Sequence, residues 1–201
     1  MMITIKSLLS LLLIALMLVA CEESSSTQGD YYYNEGQYEE AIMAYASYLE
    51  NRPNNVKALY NKGRAHEELN DFKQAEESFK LALKQDPKNI QVLLSLSNLY
   101  HNNERPELAL MYADNAVQVS GAPSTAYFLK ARSMHRLGNV DEALREYNTA
   151  IKMSPKNGQM FYYRGMLYVA TEKVSEACDD FKSAAENGFE QADEAIKNYC
   201  Q

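Results

Sequence analysis

No run of basic side chains occurs in the 201 residues, and 20 Lys and Arg against 27 Asp and Glu leave a net charge of -7. Binding to duplex nucleic acid needs a cationic footprint that displaces counterions, so no nucleic-acid partner is expected. No apolar stretch reaches the roughly 20 residues a helix needs to cross a bilayer. The stretch from Leu8 to Ala20 has 13 residues, one of them Ser. Also missing are a nucleophile paired with a base, a glycine-rich phosphate loop and a closely spaced set of Cys and His ligands. Catalysis and metal chemistry therefore have no visible apparatus, and no cofactor is expected.

What is present suffices for a folded body: 46% hydrophobic and 23% charged residues can bury a core without special staples, and a single domain is expected. Lys6 followed by the run from Leu8 to Ala20 has the length and flank of a signal-peptide apolar region, which gives residues 1–20 as a segment absent from the mature chain. Leu18-Val19-Ala20-Cys21 then puts small residues immediately before a thiol. This resembles the processing box of bacterial lipoproteins. The resemblance implies that Cys21 is lipidated and becomes the mature N-terminus, anchored by several acyl chains where one would hold only marginally. An ordinary secretory signal with an incidental Cys is the plainer alternative.

Glu22-Glu23-Ser24-Ser25-Ser26-Thr27 has too little apolar surface to fold and makes 21–28 a tether. Glu22, where enteric inner-membrane lipoproteins carry Asp, favours the outer membrane, on its periplasmic or surface face. Loss of Lys6 takes the charge from -7 to -8, so the mature chain is acidic.

An internal period organises the rest. Ala41, Ala75, Ala109, Ala143 and Ala177 lie 34 apart. In phase with them run Tyr45, Phe79, Ala113, Tyr147 and Phe181, and a third column of Pro53, Pro87, Gly121, Pro155 and Phe189. Large residues recur at Leu59, Leu93, Tyr127 and Phe161, small ones at Gly63, Ser97, Ala131 and Gly165, and rings at Tyr32, Tyr100 and Tyr168. The pattern resembles the tetratricopeptide repeat (TPR), a pair of helices with large, small and aromatic packing positions. The resemblance implies an all-α, right-handed superhelical solenoid over 29–201. Its repeats fall at about 22–55, 56–89, 90–123, 124–157 and 158–191, with a capping helix at 192–201. The first repeat loses most of its first helix to the tether. The third departs most, with no Gly before its second helix, Pro106 in an aromatic's place and Ala113 where a ring is expected.

Each second helix shows helical spacing, as in Phe72, Ala75, Phe79, Ala82 and Leu83, so one face is buried. Asp71 with Gln74 and Asn139 with Glu142 fit capping boxes at helix entries. In the cap, Ala192, Ala195, Ile196 and Tyr199 share a face. A turn near Gly188-Phe189 leaves Cys178 eleven residues before it and Cys200 eleven after, which predicts a disulfide across an antiparallel hairpin. Two buried thiols that never bond remain the alternative.

The family's groove, lined by first helices, implies contact positions at Tyr60, Arg64, Glu67 and Glu68, then Leu94, Asn98, His101 and Asn102. Phe128, Arg132, His135 and Arg136 follow in the fourth repeat, and Tyr162, Met166 and Val169 in the fifth. A solvated helix face is the bland reading of each. Arg64, Asn98 and Arg132 share one place in consecutive repeats, a donor-rich strip suited to acidic or backbone acceptors. His101 and His135, 34 apart, are too few for a metal site. Leu94 and Leu129 stand where the clamp for a terminal carboxylate in chaperone-binding members needs polar groups, so no capture of a free C-terminus is implied. The expected function is a membrane-tethered adaptor for a protein or peptide in the cell envelope. The rival is a fixed part of a larger envelope machine; an enzyme is disfavoured.

Overall fold

The computed structural model describes residues 28–200. Cys21, the run from Leu8 to Ala20 and most of the tether lie outside them. The described chain divides after Pro87 into two units. The first unit holds α1 (28–34), α2 (Tyr38–Asn51), α3 (Val56–Glu68) and α4 (Phe72–Gln85). The second holds α5 (Ile90–Asn102), α6 (Pro106–Gln118), α7 (Ser124–Arg136), α8 (Val140–Met153), α9 (Gly158–Ala170), α10 (Val174–Glu186) and α11 (Gln191–Tyr199). Among the described residues there is no strand. Successive helices pack on one another within each unit, giving five helix pairs and a closing helix.

The columns fix the packing. All five alanines of the 34-residue column are completely buried, and so are Phe79, Ala113, Tyr147 and Phe181, with Tyr45 nearly so. The small column explains why the rings fit: a Cβ on Gly63 would lie 2.6 Å from the Phe79 ring, one on Gly165 2.7 Å from the Phe181 ring, and one on Gly29 2.5 Å from the Tyr45 ring. Ring and missing side chain are thus two halves of one contact. In the third repeat both halves change. Ala113 vacates the ring's place, and the buried Ser97 hydroxyl donates to the Ala109 carbonyl at 2.9 Å. Tyr100 stacks on Tyr112, with centroids 5.4 Å apart.

The turn between the helices of each pair needs one left-handed residue. Gly36, Asn70, Glu104, Gly138 and Glu172 all have φ between 56° and 78° and lie 34 apart. The third repeat therefore keeps the turn without glycine, by forcing Glu104 into a conformation that its Cβ disfavours.

Asp71 accepts from the backbone N–H of Gln74 at 3.3 Å, but Asn139 makes no side-chain cap bond, which corrects the expected second capping box. Asn55 and Asn89 instead cap α3 and α5 through the N–H groups of Ala58 and Val92. Phe72 is also corrected, since at the entry of α4 it is 37% exposed and outside the core.

Two ion-pair groups tie the second unit together. Lys130 on α7 lies 2.8 Å from Asp114 on α6 and 3.2 Å from Glu146 on α8. Arg164 on α9 donates through two nitrogens to Asp180 on α10, at 2.8 and 2.6 Å. At the end of the chain α11 lays Ala192 and Ala195 against α10, and a disulfide joins Cys178 to Cys200 with Cα atoms 5.6 Å apart. Among the described residues no helix is long and apolar enough to cross a membrane.

Candidate functional site

In the second unit the first helices of successive pairs, α5, α7 and α9, touch one another. They bring together most of the predicted contact positions. Arg132 sits at their centre. Its guanidinium carbon lies 4.8 Å from the centroid of Tyr163 and 5.6 Å from that of Phe128, so the cation rests on two rings. Its Nε is buried and has no hydrogen-bond partner.

Two imidazoles and a second cation lie around it. His101 on α5 is half-buried, its Nδ1 without a partner, and its pKa falls to about 4. Burial is the main cause, and the positive charges of Arg132 and Arg136 and the neighbouring His135 add to it. His135 is lowered too, by burial and by Arg136. Arg136 is exposed and 3.6 Å from a still more exposed Glu104, a pair that solvent weakens. Asn98 is half-buried and Asn102 exposed. Both imidazoles are neutral at pH 7, and among the described residues no group of three His, Cys, Asp or Glu side chains could hold a metal.

Other positions depart from an open groove. Phe128 is 3% exposed and packs its ring edge to face against Tyr163 at 5.5 Å, so it belongs to the core and not to an accessible surface. Tyr162, Met166 and Val169 are half-buried against a cluster that includes Phe181 and Ala195, so α10 and α11 already cover part of them.

In the first unit Arg64 is engaged at home. It donates to the Tyr33 hydroxyl at 2.6 Å, lies over the Tyr33 ring at 5.2 Å and is 3.9 Å from Glu68. Arg64, the first member of the donor-rich strip, thus already has partners within its own unit. Tyr60 packs on Phe79 with centroids 5.8 Å apart. Glu67 is pushed up to about 7 by burial, against the pull of Arg64 and with added repulsion from Glu68.

Residues not singled out from the sequence complete this region. Asp30 accepts from the Tyr45 hydroxyl at 2.7 Å, from Asn61 at 2.8 Å and from Lys57 at 2.7 Å. Burial works to raise its pKa, but these donors outweigh it and the carboxyl stays low. Asp30, Tyr45 and Asn61 line, with Tyr33, Asn34 and Arg64, a polar cleft of about 280 Å³. The signal was available, because Asp30 is 34 residues before Arg64 and shares its column.

The tetratricopeptide repeat profile matches residues 26–90 and 128–193, well over half of the chain. The chain belongs to the tetratricopeptide repeat family. Among TPR relatives it is 27% identical over 153 residues to human tetratricopeptide repeat protein 13, covering 75% of this chain and 14% of that one. It is 24% identical over 159 residues to the human protein O-mannosyl-transferase TMTC3, covering 72% of this chain and 17% of the relative. The chain thus spans less than a fifth of the length of these two curated relatives. Among solved TPR structures, residues 41 to the end of MamA from Desulfovibrio magneticus RS-1 superpose with a TM-score of 0.76 at 19% identity, covering 85% of this chain and 96% of that one. YrrB, described as a TPR protein with an unusual peptide-binding site, gives 0.72 at 23% identity over 90% and 97%. PilW, described as a widely conserved type IV pilus biogenesis factor, gives 0.75 at 18% identity over 83% and 77%. At these identities the likeness concerns the fold, an all-α TPR solenoid.

Proposed function

We propose that the protein is a membrane-anchored TPR lipoprotein that serves as a protein- or peptide-binding adaptor in the bacterial cell envelope and catalyses nothing. The observation that carries the reading is Arg132, a guanidinium bedded on two rings with its Nε buried and unpartnered, on a face built by three adjacent first helices. Rings beside a desolvated Arg are the usual composition of an energetic centre in an interface. The TPR fold is a scaffold for such contacts, and the peptide-binding site in YrrB's description agrees with that use. The mannosyl-transferase relatives do not argue for chemistry here, because the match covers only a small part of them.

The anchor reading rests on the apolar run from Leu8 to Ala20 and on Cys21. The Cys178–Cys200 bridge supports an oxidising compartment, as the envelope outside the cytoplasm is. Glu22 supports the outer membrane. Labelling cells with an alkynyl palmitate tests the anchor: the native chain takes up label and Cys21→Ser does not. Arg132→Glu tests the adaptor. It abolishes capture of the partner from detergent-solubilised envelopes, and unchanged capture removes this face from the mechanism.

A second reading, a fixed subunit of a larger envelope assembly, is favoured by the fold shared with a pilus biogenesis factor. Size measurement of the detergent-solubilised chain separates the two, since a stable large assembly supports the second.

A further inference from the structure

Resting on the adaptor reading, we propose that the face around α5 and α7 selects an internal acidic side chain of its peptide partner. Arg132 is the anchor, and His101 is a second donor that takes up a proton when the carboxylate arrives.

The other half-buried cations of the second unit already hold carboxylates: Arg164 grips Asp180 through two nitrogens, and Lys130 lies between Asp114 and Glu146. Arg132 is the exception. Its contacts are with the faces of Tyr163 and Phe128, which leave the guanidinium edge to make hydrogen bonds. A buried Nε without an acceptor is a standing demand for an oxygen, and a planar carboxylate meets such an edge with two parallel bonds. His101 Nδ1 is buried and unpartnered as well.

The groups bearing on His101 are Arg132, His135 and Arg136 from α7, all positive or neutral. Together with burial they keep it unprotonated. An incoming carboxylate reverses that balance, so binding is linked to proton uptake. The ligand is a side chain of a peptide and not a lipid headgroup: the groups that want an acceptor are half-buried among helices, and the chain's charge of -7 repels an anionic bilayer. The acid is internal because Leu94 is half-buried and Leu129 buried, where a clamp for a terminal carboxylate needs polar groups.

A random nine-residue peptide library with both ends blocked, selected on the full chain in detergent, tests this. Enriched peptides should carry Glu or Asp at one fixed position. Exchanging that residue for Gln or Asn should weaken binding about tenfold in the native chain and leave Arg132→Gln unaffected. Arg132→Lys should recover only part of the loss. Affinity for the acidic peptide should rise several-fold from pH 7.5 to 5.5, and His101→Asn should flatten that rise.

Failure to enrich any peptide on the native chain overturns the adaptor reading, and this inference with it. Enriched peptides without an acid, or an equal exchange effect in native and Arg132→Gln protein, overturn the inference alone. A rise with falling pH that survives in His101→Asn overturns the proton linkage. Arg132-dependent binding to phosphatidylglycerol vesicles with no selected peptide assigns the face to anionic lipid and overturns it too. Equal circular-dichroism melts of native and variant chains establish that each arm compares folded proteins.

Discussion

Tyr45 and Tyr147 stand at the same place in the first and fourth repeats, both buried, yet the Tyr45 hydroxyl donates to Asp30 at 2.7 Å whereas the Tyr147 hydroxyl has no partner. The difference lies in another column, where Asp30 in the first repeat is replaced by Arg132 in the fourth. An acceptor has become a donor. Tyr45→Phe should therefore destabilise the fold by roughly 1.5–3 kcal/mol, the loss of a hydrogen bond to a charged group. Tyr147→Phe should be neutral or stabilising by about 1 kcal/mol, because it removes a buried group left unsatisfied. Urea unfolding should show a lowered midpoint for Tyr45→Phe and an unchanged or raised one for Tyr147→Phe.

A Cβ on Gly165 would meet the Phe181 ring at 2.7 Å and the Ala177 carbonyl at 3.3 Å. Gly165→Ala should cost about 1–3 kcal/mol through overpacking. Combined with Phe181→Leu it should cost less than the two single changes added together, because the smaller side chain gives the methyl room. The third repeat already contains that solution, with Ser97 facing Ala113. A double-mutant cycle by chemical denaturation measures the coupling.

Glu67 in the first unit and His101 in the second respond to pH with opposite signs. Glu67, raised to about 7, holds a proton in the folded state at pH values where the unfolded chain has lost it. Its contribution is therefore fully favourable below the ordinary carboxylate range and is lost as pH rises through about 7. Glu67→Gln should leave stability unchanged at pH 4.5 and raise it at pH 8. His101, lowered to about 4, works the other way. The unfolded chain binds its proton first, so stability falls as pH drops from about 6.5 towards 4. His101→Asn should raise the melting temperature at pH 5 and change it little at pH 8. Melting curves of both variants across this range check the signs.

The fold was legible because repetition samples each packing position five times. The alanine column, the rings sixteen residues after each small residue and the closing helix all follow from spacing. The site was legible only in part. Column position tells which helix face a residue occupies, but not what its neighbours have already taken. Arg64 is spent on Tyr33 and Glu68, and Phe128 is roofed over by Tyr163; Tyr33 and Tyr163 stand outside the columns considered. The left-handed turn was missed for a different reason. It is a backbone requirement, and Glu104 and Glu172 meet it without the glycine that would announce it.

The bridge between Cys178 and Cys200 closes a loop with a sequence separation of 22 and holds α11 against Phe181. Reduction should lower stability by roughly 3 kcal/mol on the loop-entropy view. The first amides to lose protection from hydrogen exchange should be those of α11, then α10. Exchange measured by mass spectrometry with and without a thiol reductant reads this out.

On the proposed function, the face of α5, α7 and α9 contacts a protein partner in the envelope. Photoreactive residues placed in intact cells at Asn98, Arg132 and Tyr162, with Glu77 and Lys182 on exposed second-helix surfaces as controls, test it most directly. One and the same protein should be caught from the first three positions and from neither control. Identical products from all five sites, or products from the controls alone, would contradict it.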